Sequence, residues 1–192
     1  MLTNMLLPVI EKTAAAHDDA RIVNTSSGLH MACQELNLSL LTSPTRTKQP
    51  AAYDAVWRYG RSKLANILFT RELAVQLDER GAKGIYVNCF YPGNVPTEAM
   101  DSWKLLVGNL PGQLFKAVFQ KVGQSLTDAA ATGLYLGTSP KIAEGDKRGR
   151  YYVPIAIEEM TSKIARDKDL ARRLWQWTDE QATKCLGESW ST

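Results

Sequence analysis

The chain has 192 residues, of which 44% are hydrophobic and 22% charged, and its net charge is only +3. This length and composition fit one globular domain with a sizeable core, and no run of five or more Lys or Arg residues suggests a nucleic-acid partner. The three cysteines (Cys33, Cys89 and Cys185) are far apart and odd in number, so neither a disulfide framework nor a metal site is predicted. Free thiols favour a reducing compartment, and we expect a cytoplasmic protein.

In the first quarter of the chain, the sequence pattern predicts a helix, a strand and a loop. The helix covers 2–16 and contains Pro8, which should kink it. Its apolar run is too short to span a membrane and lacks the basic flank of a signal peptide. A β-branched strand follows at 22–26, and a polar loop covers 33–52.

The middle of the chain predicts a long helix and a buried strand. The helix covers 54–80, ends at Gly81, and turns one apolar stripe towards a sheet: Leu64, Ile67, Leu68 and Leu77. The strand covers 85–90, and the segment 97–125 that follows is rich in apolar side chains. Those side chains either contact an apolar ligand or pack a helix on the core, and the pattern allows both.

The C-terminal part predicts a short helix, a third strand and a last helix. The short helix opens at Ser125 with a pattern like a capping box, the strand covers 151–153, and the last helix runs from 161 or 168 to 185. Strands that alternate with helices indicate an α/β fold with a parallel sheet. The outer edge of the strand at 22–26 is left unpaired, which predicts poor solubility or pairing with another chain.

Tyr59 and Lys63 lie one turn apart near the start of the long helix, so both side chains leave its same face. An ammonium beside a phenol stabilises the phenolate, and carbonyl reduction or its reverse needs such a proton donor. The pair alone is weak evidence, because this spacing also occurs on solvated helix faces. Its neighbours strengthen it: R21-I-V-N-T-S-S27 ends a strand in two hydroxyls, and Y91-P-G-N-V-P-T97 follows the next strand.

These motifs resemble the C-terminal part of a short-chain dehydrogenase/reductase, nearest to the branch of retinol dehydrogenases and the WW-domain-containing oxidoreductase. The resemblance rests on three runs in the family's order, at 21–30, 59–74 and 91–97, with support from 149–154 and 172–177. It implies the last three strands of a Rossmann-like, doubly wound parallel sheet with crossover helices. It further implies a single truncated domain over 1–192 and a substrate lid over 97–125.

The resemblance also implies catalytic roles. Ser27, the second hydroxyl of its pair, would bind and polarise the substrate carbonyl. Tyr59 would be the general acid in reduction and the base in oxidation, and Lys63 would hydrogen-bond the nicotinamide ribose, so both also count as cofactor-binding residues. His30, which follows the serine strand, is predicted in a surface loop, with the substrate mouth as the alternative.

The turn after the second strand would complete the cofactor site. By the resemblance, Pro92 and Gly93 would pass close to the nicotinamide, and Thr97 would contact its amide or the pyrophosphate. Val95 lies in the same turn and is a weaker candidate.

The loop that binds nucleotide phosphates is not found in the sequence. The thirteen glycines include no G-x-x-x-G-x-G spacing after an early strand. Losing two or three hydrogen bonds to a charged group, at about 1.5–3 kcal/mol each, weakens binding by roughly two to six decades. We therefore expect that the N-terminal cofactor-binding half is missing and that the isolated chain is weakly active or inactive.

Two hypotheses follow from the resemblance. The first is an NAD(P)-dependent oxidoreductase, with NADP slightly favoured, that acts on a small apolar carbonyl or alcohol substrate. The second is a non-catalytic remnant that acts as an interaction or oligomerisation module. We expect homo-oligomers, or pairing with another chain, through the helices at 2–16 and 54–80. We expect neither a nucleic-acid partner nor a membrane span.

Overall fold

A computed structural model describes residues 2–42, 51–95 and 123–187. Within these ranges the α-helices are α1 (Leu2–His17), α2 (Ala51–Glu79), α3 (Leu126–Thr138), α4 (Pro140–Glu144) and α5 (Lys168–Leu186). The strands are β1 (Ala20–Thr25), β2 (Ile85–Phe90), β3 (Tyr151–Val153) and β4 (Ile157–Glu158), and short 3₁₀ helices cover Gly28–Ala32, Leu38–Leu40 and Ile164–Arg166. Of the predicted lid at 97–125, all but 123–125 lies outside the described residues.

The four strands form one sheet in the order β1-β2-β3-β4. β1, β2 and β3 are parallel, and β1 pairs with β2 in register from Ala20 opposite Ile85 to Thr25 opposite Phe90. The prediction of an α/β fold with a parallel sheet is confirmed. The prediction of three strands is incomplete, because the two-residue β4 adds an antiparallel edge on β3.

Helices cover both faces of the sheet because the residues of β2 alternate between them. Ile85 and Val87 pack with α1 and α2, whereas Tyr86 packs with Leu136 of α3 and Ile142 of α4. A strand that is apolar on both faces is typical of a buried parallel sheet. This layering places the part of α2 from Leu64 to Leu77 against the sheet.

The apolar stripe predicted on α2 is confirmed, since Leu64, Ile67, Leu68 and Leu77 are all fully buried. The helix stops where predicted: Gly81 has φ +67°, and the N–H of Ala82 donates to the carbonyl of Leu77 at 2.9 Å. α1 runs without a break through Pro8.

The last helix begins at Lys168 rather than at 161. Asp167 caps it, because its carboxylate accepts a hydrogen bond from the N–H of Leu170 at 2.9 Å. α5 then packs along α2, where the ring of Trp175 stacks on Phe69 with centroids 5.5 Å apart. The chain's own C-terminal helix thus covers one flank of the helix through which pairing is predicted.

Candidate active site

The two serines at the end of β1 have different partners. Ser26 is 2% exposed, and its hydroxyl donates to the carbonyl of Lys63 in α2 at 2.9 Å. Ser27 caps the 3₁₀ helix Gly28–Ala32, where its Oγ accepts from the N–H of Leu29 at 3.2 Å and stays partly exposed. Ser26 is therefore committed to holding α2, and Ser27 has the hydroxyl that can still donate a hydrogen bond.

α2 presents Tyr59 and Lys63 at the same end of β1. Lys63 Nζ lies 5.5 Å from the centroid of the Tyr59 ring and donates to the carbonyl of Thr25 at 3.4 Å. Asn66 Nδ2 donates to the same carbonyl at 2.9 Å. Two side chains of α2 are thus tied to the last residue of β1, two positions before Ser27, while Tyr59 stays 44% exposed.

Tyr91 brings the end of β2 to this region. Its ring lies 3.6 Å from the position that a Cβ would take at Gly28, and its hydroxyl donates to Asn94 Oδ1. Burial raises the pKa of Tyr91, and a negative charge on Tyr59 would raise it further. Tyr91 is therefore near both Gly28 and Tyr59. Tyr91 begins the motif that follows β2, but no role for it was predicted from the motif.

The turn after β2 packs closely against Gln124. Gly93 has φ +97°, and a Cβ there would overlap the side-chain oxygen of Gln124 and lie 3.1 Å from Pro154 Cγ. The N–H of Val95 donates to the carbonyl of Gly93 at 3.1 Å. Only glycine fits this position. The predicted contact residue Thr97 lies outside the described residues.

The prediction that His30 lies in a surface loop is wrong, since the residue is 1% exposed. Its Nδ1 lies 2.7 Å from the carbonyl oxygen of Ser27, and its ring meets Tyr151 edge-on with centroids 5.2 Å apart. Within the part of the chain that the structure describes, Nε2 is buried and has no hydrogen-bond partner. Burial lowers the pKa of His30. A 3₁₀ turn brings residues i and i+3 together, and this signal could have linked Ser27 to His30.

Gly60 sets how closely α2 approaches the 3₁₀ helix that follows Ser27. A Cβ at this position would lie 2.7 Å from the carbonyl oxygen of Leu29 and 2.9 Å from Cys33 Sγ. Both distances are shorter than van der Waals contact allows, so a side chain would push the two elements apart. Gly60 directly follows Tyr59, and its role was not predicted because the contact is made only in the folded chain.

Sequence comparison identifies many similar proteins. The chain is 35% identical over 175 residues to retinol dehydrogenase 14 of Homo sapiens, covering 91% of this chain and 46% of that protein. It is 33% identical to a short-chain dehydrogenase/reductase of Armillaria gallica, covering 93% and 56%, and 30% identical to human retinol dehydrogenase 13, covering 91% and 48%. The chain belongs to the short-chain dehydrogenase/reductase family.

Two further comparisons complete this finding. No protein-family model matches the chain. Among solved structures, an uncharacterised protein of Mycobacterium paratuberculosis matches with a TM-score of 0.51 at 23% identity, covering 86% of this chain and 51% of that one, which supports the fold. This short-chain dehydrogenase/reductase chain spans about half the length of the curated relatives it matches.

A nicotinamide cofactor is implied by the family, and the residues around the turn fit its nicotinamide end. The side-chain oxygen of Gln124 is buried beside Gly93 and has no hydrogen-bond partner in the described ranges, so it could accept a hydrogen bond from a carboxamide. Lys63 Nζ has three hydrogens and, among the residues that the structure describes, one acceptor, the carbonyl of Thr25, so it could also donate to ribose hydroxyls. The residues that could hold this end are Tyr59, Lys63, Pro92, Gly93 and Val95.

Proposed function

We propose that this chain carries the catalytic and nicotinamide-binding part of an oxidoreductase that transfers hydride between NAD(P)H and a carbonyl or alcohol. The observation that supports it best is the attachment of Lys63 and Asn66 to the carbonyl of Thr25. This attachment keeps the phenol and ammonium of α2 at the end of β1, where Ser27 follows. Held in this way, the groups need little reorganisation when a substrate binds.

In the proposed mechanism, the chain's own residues handle the carbonyl oxygen and its proton. A bound nicotinamide cofactor supplies or accepts the hydride. During reduction, the Ser27 hydroxyl donates a hydrogen bond to the carbonyl oxygen, and the Tyr59 hydroxyl transfers its proton to the same oxygen. The ammonium of Lys63 stabilises the phenolate that remains. In oxidation Tyr59 takes the proton back.

The substrate is proposed to be a small apolar carbonyl or alcohol. Support comes from the apolar residues of 97–125 and from relatives whose names describe retinol dehydrogenases. NADP is proposed slightly ahead of NAD on the family resemblance alone. A cytoplasmic location also stays a proposal, supported by three free cysteines, of which Cys33 and Cys89 are buried. In the described ranges no helix combines the length and apolar composition needed to cross a bilayer.

The decisive experiment titrates NADH and NADPH fluorescence against the purified chain and measures reduction of an apolar aldehyde. Because its sequence has no glycine-rich phosphate loop, we expect the 192-residue chain to bind either nucleotide at about millimolar strength or more weakly. Any turnover should be abolished by Tyr59→Phe, which removes the proton donor and keeps the ring. Tyr53→Phe is the matched control, since Tyr53 is an exposed phenol on the same helix.

The outcomes separate the two hypotheses. Micromolar nucleotide binding, with turnover that Tyr59→Phe abolishes and Tyr53→Phe preserves, would exclude a non-catalytic remnant. Turnover that survives Tyr59→Phe would exclude the proposed mechanism. No binding of either nucleotide at millimolar concentration would exclude the enzyme hypothesis for the isolated chain.

The alternative function, an interaction or oligomerisation module, is supported by two surfaces. No strand of the described ranges pairs with the outer edge of β1. α1 also exposes a stripe of apolar residues at helical spacing: Leu2, Met5, Leu6 and Val9. Both features would be covered if the chain paired with another copy or another protein.

Analytical ultracentrifugation tests this alternative. The chain should sediment as a dimer or larger species, and Val9→Lys should weaken that association by placing a charge on the exposed stripe. Leu134→Lys is the control, because Leu134 is equally exposed but lies on α3. A monomer that melts cooperatively would rule out the module.

A further inference from the structure

The C-terminal half of α2, the start of α5 and residues 146–150 surround a cavity of about 480 Å³. Its lining is rich in cations, with five positively charged side chains and three carboxylates. The cations are Arg71, Arg148, Arg150, Lys168 and Arg172. The sheet and the active-site residues described above do not line it.

The carboxylates around this cavity leave several cations without a counter-charge. Asp146 accepts from Arg148 Nε at 2.7 Å, and the buried carboxylate of Glu72 accepts from the Gln76 amide at 2.8 Å. Arg150 has a longer ion pair with Glu158, at 3.6 Å.

Three of the cations have no partner of this kind. Arg71, Lys168 and Arg172 make no hydrogen bond or ion pair to any residue in 2–42, 51–95 or 123–187. With the third carboxylate, Asp78, included, five cations face three carboxylates, so the cavity carries a net charge of +2.

Arg71 is the central residue of this cluster. It is partly buried on α2, and burial lowers the pKa of its guanidinium, as do the like charges of Arg150 and Arg166. A guanidinium does not lose its proton in proteins, so it stays charged despite this unfavourable setting. An anion at this point would relieve both the desolvation and the repulsion.

Gly149 holds the segment 146–150 against α2 beside Arg71. With φ +65°, it would place a Cβ only 3.2 Å from Ala74 Cβ and 3.7 Å from Arg71 Cα. The N–H of Gly149 donates to the carbonyl of Val87 in β2 at 2.7 Å. The segment 146–150, which carries Arg148 and Arg150, is thus attached to the sheet by this hydrogen bond.

We propose that this cavity binds a small molecule carrying adjacent phosphate groups, with Arg71 as the central contact. The volume lies within the range of small-molecule sites, and guanidinium groups match phosphate oxygens with paired hydrogen bonds. Arg71 lies eight residues beyond Lys63 on α2, about 12 Å further along the helix. The site is therefore separate from the Tyr59 and Lys63 pair and does not depend on hydride chemistry.

Isothermal titration of the full chain with inorganic pyrophosphate, at constant ionic strength, tests the proposal. Saturable binding is expected, and Arg71→Gln should weaken it by at least about tenfold, the loss of one charged hydrogen bond. Arg71→Lys should recover part of the affinity, because it restores the charge but not the paired donors. Lys12→Gln makes the same charge change at an exposed site on α1 and should bind like wild type.

Two further measurements locate the site and the source of the phosphate. In NMR spectra, pyrophosphate should shift the amide of Gly149 and the methyl of Ala74. If vesicles containing phosphatidylinositol 4,5-bisphosphate, which carries two adjacent phosphates, bind and pyrophosphate competes with them, a lipid headgroup occupies the site. Pyrophosphate binding without vesicle binding indicates a soluble ligand. The absence of saturable binding, or equal affinity in wild type and Arg71→Gln, would overturn the proposal.

Discussion

The two halves of α2 each carry a cation that faces the rest of the chain, and their surroundings differ. In the N-terminal half, Lys63 donates to a backbone carbonyl at the end of β1 and lies beside the Tyr59 ring. In the C-terminal half, Arg71 is partly buried among other guanidinium groups and makes no hydrogen bond or ion pair in the described ranges. The first cation is held by the fold, whereas the second lacks a counter-charge.

Lys63 is thus preorganised by its hydrogen bond, whereas Arg71 carries the charge that the ligand of the proposed cavity site would neutralise. In the proposed mechanism the proton-transfer groups must be fixed before the substrate arrives. Two hydrogen bonds hold α2 against β1 for this purpose: Lys63 Nζ donates to the carbonyl of Thr25, and the Ser26 hydroxyl donates to the carbonyl of Lys63. A ligand-binding charge gains most when its own chain leaves it unsatisfied. The following variants test each half.

Gly60→Ala should have the largest effect because it acts on the fixed half. The added Cβ meets the backbone oxygen of Leu29 and the buried Cys33 sulfur, and such overpacking lowers the free energy of unfolding by about 1–3 kcal/mol. Gly137→Ala is the matched control, since no atom lies within 4 Å of a Cβ there. In the control, the free energy of unfolding should stay the same or rise by up to about 1 kcal/mol, because alanine has the higher helix propensity. Urea unfolding measures both, and a fully stable Gly60→Ala would show that the close approach is not required.

His30 should make the fixed half sensitive to acid. Burial lowers the pKa of His30 more than the Ser27 carbonyl and Glu159 oppose it, so the unfolded chain binds the proton more readily than the folded one. Stability should therefore be fully present above the ordinary histidine pKa of about 6.5 and should fall as the pH decreases through the lowered pKa of His30.

Urea unfolding at several pH values checks this dependence. His30→Asn keeps a short side chain with an N–H donor and removes the titration, so its profile should be flatter. His17→Asn makes the same substitution at an exposed histidine on α1 and is the matched control. A wild-type curve that is flat below about pH 6.5 would contradict the role given to His30.

Lys63→Met and Arg71→Met should show the smallest effects but with opposite signs. Methionine keeps the apolar stem and the helix propensity, so each variant reports on the charge. Lys63→Met should lose about 0.5–1 kcal/mol of stability with its hydrogen bond to Thr25. Arg71→Met should be neutral or gain a few tenths of a kcal/mol, and that gain should shrink as salt screens the repulsion. Equal losses in both variants would remove the contrast between the two halves.

Much of the fold could be predicted from the sequence because its signals are local. β-branched runs marked the strands at 20–25 and 85–90 to within two residues, and the apolar stripe of α2 was fully buried as predicted. β4 was missed because two exposed residues carry no periodic pattern. The sequence allowed two starts for the last helix, at 161 or 168, and the cap formed by Asp167 fixes it at Lys168.

The candidate site likewise has features that the sequence predicts and features that only the folded structure shows. The sequence by itself determined which chemical groups are available, because Ser27 follows a predicted strand and helical spacing places Tyr59 and Lys63 on one face of α2. Only the tertiary structure decided the partners: Ser26 bonded to α2, His30 buried under Ser27, and Arg71 left among like charges. Hydrogen bonds and desolvation depend on atoms far apart in the chain, and no local pattern of residues encodes which of them will meet.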